Sequence, residues 1–286
     1  MKKTLTLDLP ITVQEALASH CARSGDTPEH TVIRALAEFL DLEHHSIYQV
    51  STSCALVEGV YQGSVRVREI LKNGDFGLGT FHGLDGEGIL LDGTCWQALA
   101  DGTVLPADGD TLTPFWVATH FKADIEKTLE AIESWDDLLG RLDALRPSDN
   151  IFSAIRIDGV FSAMHYRVAC KSSPGTDLVA ATQHQAEYRF NQIEGTLVGF
   201  FTPDYAHTIN VPGYHLHFIS HDRTHGGHVL DLAASSLKVA IDHENQLRLV
   251  LPETPAFLNA DLTEDPREAL EKAESKRRDM PQTEGS

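Results

Sequence analysis

The sequence predicts an α+β protein in two parts: a small strand-helix-helix module over residues 1–44, then a β-rich body of mixed or antiparallel sheet over residues 45–286. Three observations carry that expectation. In the first 44 residues apolar positions recur with period two and then, twice, with helical spacing. Seven glycines fall within residues 72–93, a density that calls for short strands joined by tight turns. Beyond residue 155, strand-length runs rich in β-branched and aromatic residues follow one another, and helical spacing returns only in the tail.

Leu5, Leu7 and Leu9 alternate with Thr4, Thr6 and Asp8, a one-faced strand that Pro10 stops. Thr12 is placed to cap a helix, with Glu15 at the capping-box spacing and Val13, Ala16, Leu17 and Cys21 on its apolar side. After a turn at Ser24-Gly25-Asp26, Thr27 caps a second helix with Pro28 at its first position. Val32, Ile33, Leu36, Phe39 and Leu40 form its apolar stripe. About forty residues are too few to bury a core alone. The LTLDLP strand and the GDTPEHTVIRALAEFL helix resemble the ribbon-helix-helix fold, which implies an intertwined homodimer. In DNA-binding members the outward strand side chains read base edges. Here those positions are Thr4, Thr6 and Asp8, and residues 1–44 carry 4 Lys+Arg against 7 Asp+Glu, which favours dimerisation over DNA binding.

The body begins near Ile47, with a helix expected over 65–72 and the glycine-dense segment next. No Gly-Lys-Ser/Thr follows those glycines, and GLGTFHG does not match GxGxxG, so a nucleotide site is disfavoured. A strand is expected over 113–121, and Ser134 with Asp137 caps a helix carrying Leu138, Leu139, Leu142 and Leu145. Further strands are expected over 155–168, 193–202, 214–220, 228–232, 237–242 and 247–251, the last two as a hairpin around HENQ. A tail helix starts at Pro266, capped by Asp265 with Glu268 in support.

With 23 Lys+Arg against 42 Asp+Glu the net charge is −19, which disfavours nucleic-acid and anionic-membrane partners. No apolar run approaches the ~20 residues of a membrane span. Cys21, Cys54, Cys95 and Cys170 are scattered, without a CxxC pair, and the chain reads as cytoplasmic.

Six of the fifteen histidines lie between His207 and His228. In GYHLHFIS a strand places His215 and His217 on one face, and His228, after Gly226-Gly227, opens the next strand. Three imidazoles with an open position are the composition of a catalytic zinc site, although iron, nickel or copper suit the same nitrogens. His221 and His225 fall in the connecting loop, and Asp222, Asp231 and Asp242 are close enough in sequence to orient the imidazoles.

The segments YQVSTSCALVEGVYQGSV, LKNGDFGLGTFHGLDGEGILLDG, TPFWVATHF, EGTLVGFFTPDYAHTINVPGYHLHFISHDRTHGGHVLDL and the tail AES resemble 2-acetolactate decarboxylases, in order from about residue 48 to 275. The leading module departs from that family's usual plan. The resemblance implies a zinc enzyme, Zn2+ being held by His215, His217 and His228, that converts (S)-2-acetolactate to (R)-acetoin and CO2. It implies an active-site glutamate at Glu87, a substrate-binding threonine at Thr80, an arginine at Arg167 and a C-terminal glutamate at Glu274, brought to the site by the tail helix.

The chemistry is consistent with these residue types. Decarboxylating a β-keto acid needs a sink for the electron pair left behind, and zinc on the ketone and hydroxyl oxygens stabilises the enediolate. Arg167, with His165 on the same strand face, can hold the carboxylate or an oxyanion, and Glu87 or Glu274 can deliver the proton that sets acetoin's configuration. The reading from another class is a DNA-binding or ligand-sensing regulator with a decarboxylase-like body. Whether the substrate carries a methyl or an ethyl group stays open at this point.

Overall fold

The computed structural model describes residues 5–40, 45–173, 175–183 and 185–274, the last without its side chain. The chain divides into two compact units, Met1–His44 and His45–Ser286.

The first unit holds α1 (Ile11–Ser24) and α2 (Pro28–Phe39). The second helix starts as its sequence predicts: Thr27 accepts a bond from His30 N, and Pro28 occupies the first turn. Gly25 ends α1 in a left-handed conformation, φ 82°, its N–H bonding Cys21 O. The start of α1 differs from expectation. The Pro10 carbonyl already accepts from Val13 N and Gln14 N, so the helix begins at Ile11 and Thr12 lies inside it, capping nothing. Leu5 to Leu9 form no strand, and Thr4 lies outside the described residues.

The second unit opens with β1 (Ser46–Val50) and the Thr52-capped α3 (Ser53–Val57). Val65 and Arg66 form β2 (Val65–Arg66), which leaves only one turn for α4 (Val67–Ile70) where a longer helix was expected. Next come β3 (Phe76–Thr80), β4 (Glu87–Leu91), β5 (Thr94–Ala98), β6 (Val104–Pro106), β7 (Leu112–Thr113) and β8 (Phe115–Thr119). The exposed strand β9 (Ile125–Ile132) precedes α5 (Trp135–Asp143), whose start Ser134 caps through Asp137 N. Long strands follow: β10 (Phe152–Val168), β11 (Ala186–Thr202), β12 (Gly213–Ser220) and β13 (Gly226–Glu244), with α6 (Leu178–Thr182) between the first two. The chain ends its described part with β14 (Gln246–Val250), α7 (Pro255–Leu258) and α8 (Arg267–Glu274). Asp265 accepts from Arg267 N at 3.0 Å, as its capping position predicts.

One sheet runs β14-β1-β8-β3-β4-β5-β6, and its β1–β14 pair is parallel. The other runs β10-β11-β12-β13-β9, and a further β10–β13 pairing closes four of its strands into a barrel. The stretches 228–232 and 237–242 are one strand, β13. The hairpin expected around HENQ does not form, because β14 leaves β13 to pair with β1 in the other sheet. The crossover is pinned where Asn245 N and Gln246 N both donate to His45 O.

Strand β8 is buried on both faces, as its unbroken apolar run requires. Phe115 and Val117 face the barrel strands, together with Phe76, Leu78, Ile89, Val198 and Phe200. Trp116 and Ala118 face the opposite way, onto Val67, Ile70 and Phe81. A second core fills the barrel and its α5 flank, from Leu138 and Leu142 to Phe161, Tyr166 and Phe218. Leu270 and Ala273 of α8 are buried in the core between the sheets. Burying a leucine contributes roughly 1.5–3 kcal/mol, so the tail helix is docked and not merely solvated. No helix among the described residues is long and apolar enough to cross a membrane.

Candidate active site

The β12–β13 hairpin sets the site. Ser220 Oγ donates to Asp222 Oδ1 and accepts from Thr224 N and His225 N, which fixes a tight turn over residues 221–225. Asp222 Oδ1 also accepts from Thr224 N and Thr224 Oγ1, and these two bonds with that from Ser220 hold its carboxyl down at about 2. The resulting register puts His217 directly opposite His228, with His215 two residues away on the same face. Gly226 and Gly227 belong to the strand and not to the turn. A Cβ at Gly227 would lie 2.4 Å from Arg167 O, so glycine permits the close approach of β13 to β10 beside His228.

The ligand nitrogens of His215, His217 and His228 all lie within 4.8 Å of one another, and all three residues are buried. Ring centroids are 5.0 Å apart for His215–His217 and His215–His228, and 5.5 Å for His217–His228. His217 Nδ1 donates to Gly88 O at 2.9 Å, which leaves the lone pair on Nε2. That Nε2 is buried without a hydrogen-bond partner and stands 3.5 Å from Glu87 Oε2.

Burial, only partly offset by the Gly88 bond and reinforced by the Arg167 charge, lowers the His217 pKa to about 3. Burial first, then His217 and Arg167, holds His215 well below its usual value. Neutral imidazoles with convergent nitrogens are what a metal ion requires, and a backbone carbonyl orienting one of them is an ordinary outer-shell arrangement. The three residues therefore fit a metal ion.

Two neighbouring strands supply the rest. Thr80 and Glu87 are opposite one another at the β3–β4 end. Thr80 Oγ1 donates to Gly86 O at 2.8 Å, and Glu87 Oε1 accepts from Ala169 N at 3.0 Å. Burial raises the Glu87 pKa, against the lowering effects of Arg167 and the Ala169 N–H. Arg167 lies on β10 opposite His228 and is 4% exposed. Gly79 and Gly88 are paired on the far face of these strands, where a Cβ on either would lie within 2.5 Å of the Trp116 ring. They leave room for that indole, so part of the glycine density serves strand packing and not turns.

Thr80, Glu87, Arg167, His215, His217 and His228 thus line one cavity. Glu274 ends α8, but its side chain lies outside the described residues. His165 is turned to Glu187, with Nε2 and Oε2 2.9 Å apart. Asp222 closes its own turn, Asp231 accepts from Trp135 N and Leu232 N, and Asp242 accepts from Lys122 N. His217 is oriented by Gly88 O instead. His225 packs on Phe190, with ring centroids 4.4 Å apart.

Sequence reasoning missed Leu56, Leu84, Phe115, Leu178 and Thr182, which with Gly79 and Ala169 complete the lining. Most are apolar residues on short helices and loops, where no spacing separates a cavity wall from a core position.

Comparison with known proteins follows the same outline. The Alpha-acetolactate decarboxylase family matches residues 47–264. The Alpha-acetolactate decarboxylase of Methanosarcina mazei is 40% identical over 260 residues, 88% of this chain and 90% of the relative. That of Bacillus subtilis is 42% identical over 217 residues, 76% of this chain and 85% of the relative. The crystal structure of alpha-acetolactate decarboxylase from Bacillus subtilis strain 168 superposes with a TM-score of 0.79 at 39% identity, covering 81% of this chain and 100% of that one.

Proposed function

Because this chain belongs to the Alpha-acetolactate decarboxylase family, we propose that its three-histidine cavity converts (S)-2-acetolactate to (R)-acetoin and CO2. The observation that carries this reading is the convergence of three buried imidazoles, a buried carboxyl and a buried guanidinium on one cavity. Zinc is the ion three imidazoles suit best, and when bound it supplies a Lewis acid for the ketone and hydroxyl oxygens of the substrate.

The chain's own groups do the remainder. Arg167 presents a fixed planar fork to the substrate carboxylate, which orients the bond to be broken. As that bond breaks, CO2 leaves and its electron pair moves onto the ketone oxygen. Glu87, its pKa raised by burial, carries the proton that the carbon then takes up, after which the carbonyl re-forms. One fixed donor, anchored through Ala169 N, delivers to one face, which sets the configuration of acetoin. The hydroxyl of Thr80 is committed to Gly86 O, so Thr80 shapes the wall beside Glu87. Four free cysteines suit the reducing cytoplasm.

Racemic 2-acetolactate with the zinc-loaded protein and chiral analysis of the product tests the reading. We expect (R)-acetoin from the wild type and about 10²–10⁴-fold slower formation by Glu87→Gln. A Glu87→Gln variant at the wild-type rate contradicts this role.

The first unit supports a second proposal, homodimerisation through a ribbon-helix-helix arrangement. Neither α1 nor α2 contains a buried residue. Leu5 is 77%, Leu7 57%, Leu36 48% and Phe39 86% exposed. Two helices and a leading segment that leave their apolar residues uncovered are completed by a second copy. Light scattering should give a dimer whose mass falls on Leu36→Asp, and an unchanged mass refutes the arrangement.

A further inference from the structure

A second group of ligating side chains lies away from the three-histidine cavity and shares no residue with it. Asp124, Asp242 and His45 offer ligand atoms that all lie within 4.8 Å of one another. His45 Nδ1 is 3.2 Å from Asp242 Oδ1 and 3.8 Å from Asp124 Oδ2. These residues come from three places: the entry to β1, the segment before β9 and the end of β13. They meet at the seam where the chain crosses from the barrel to the other sheet.

Backbone N–H groups meet one oxygen of each of the two aspartates. Asp242 Oδ2 accepts from Lys122 N at 2.6 Å, and Asp124 Oδ2 accepts from His243 N at 3.2 Å. Asp242 Oδ1, on a residue 1% exposed, is buried and accepts no hydrogen bond, and it points at the imidazole. Two residues on, on the same face of β13, Glu244 is 1% exposed and neither of its oxygens accepts a hydrogen bond. The nearby Thr119 hydroxyl donates to Ser46 O. Buried oxygens of this kind are costly unless a cation meets them.

We propose that His45, Asp124 and Asp242 bind a divalent transition-metal ion as a structural clip, with Glu244 buried beside them on β13. The mixed nitrogen and carboxylate donors suit Zn2+ or Mn2+ and argue against Ca2+ or Mg2+, which take oxygen alone. The ion would tie the start of β1 to the end of β13 beside the crossover, where Asn245 N and Gln246 N already hold His45 O. Its role is stability of the seam, not chemistry on substrate.

Equilibrium dialysis of the full chain against Zn2+, with metal content measured by mass spectrometry, tests this. We expect two ions per chain in the wild type and one in His45→Ala. The double variant His215→Ala/His217→Ala should also keep one ion, and combining it with His45→Ala should leave none. Asp242→Asn, which preserves shape, serves if His45→Ala does not fold and should likewise lose one ion. In the His215→Ala/His217→Ala background, added Zn2+ should raise the melting temperature, and His45→Ala should abolish that rise. A single ion in the wild type that His45→Ala leaves in place overturns the proposal. So do two ions that both survive His45→Ala and Asp242→Asn, since the second is then adventitious.

Discussion

Gly88→Ala should damage both the fold and the metal centre, because one residue serves each through a different atom. Its Cα faces Trp116: an added Cβ would lie 2.3 Å from Cζ3 and 2.4 Å from Cη2 of the indole, and 3.1 Å from Gly79 O. Trp116 is fully buried and packs edge-on against Phe81, with ring centroids 5.7 Å apart, so the indole has nowhere to retreat. The strand β4 must move instead. Overpacking of this kind costs about 1–3 kcal/mol. For a domain of this size that corresponds to a fall of roughly 2–12 °C in Tm. The carbonyl of the same residue accepts the His217 Nδ1 bond at 2.9 Å, and the preceding residue is Glu87. Moving β4 therefore disturbs the group that orients a ligand, a change that typically weakens metal binding about 10–100-fold. Thermal unfolding of the metal-free protein and zinc competition against a chromophoric chelator measure the two effects separately. Gly93→Ala is the control: its φ of 75° strains a side chain, but an added Cβ there meets nothing within 4 Å. It should lower Tm and leave zinc affinity unchanged. Wild-type Tm and affinity in Gly88→Ala, or equal loss of zinc from Gly93→Ala, would refute the reasoning.

Two further outcomes are expected. Arg167→Lys keeps the buried charge but loses the bidentate fork, and a lost charged hydrogen bond of about 1.5–3 kcal/mol predicts roughly 10–100-fold lower kcat/KM in acetoin assays. An unchanged kcat/KM removes Arg167 from substrate binding. In metal-free protein, stability should fall as pH drops below the ordinary histidine value of 6.5, because the unfolded His217 takes a proton that the folded one refuses until about pH 3. The slope from this residue is about 1.4 kcal/mol per pH unit. Urea denaturation between pH 7 and 5 should show a shallower dependence in His217→Gln, and parallel curves would show that His217 is not held neutral by burial.

The three-histidine cluster was legible because it depends on strand periodicity. Two histidines at i and i+2 share a face on any strand, and His228 follows one tight turn later, so the register that unites them is local. Glu87 and Thr80 carried no such signal. They reach the cavity because β3 and β4 pair with Thr80 opposite Glu87, and in sequence each is only one polar residue among glycines. Only the family resemblance singled them out. The fold was misread where pairing is non-local. HENQ has turn composition, yet β14 gains its partner from β1, about two hundred residues earlier in the chain. Strand β9 escaped notice because IEKTLEAI is exposed along most of its length and its Glu and Lys suit a helix as well as an edge. The glycines show the opposite limit. Their number announced tight backbone, but that Gly79 and Gly88 make space for Trp116 becomes visible only once β8 lies alongside β3.

A metal ion on the three histidines should be what makes this cavity a decarboxylase. This is tested most directly by acetoin formation from 2-acetolactate before chelation, after chelation and after zinc is restored, with folding followed by circular dichroism throughout. Acetoin formation should be lost with the metal while the fold persists, zinc should restore it, and zinc should restore nothing to His215→Ala. Undiminished acetoin formation by a folded, metal-free protein would contradict it.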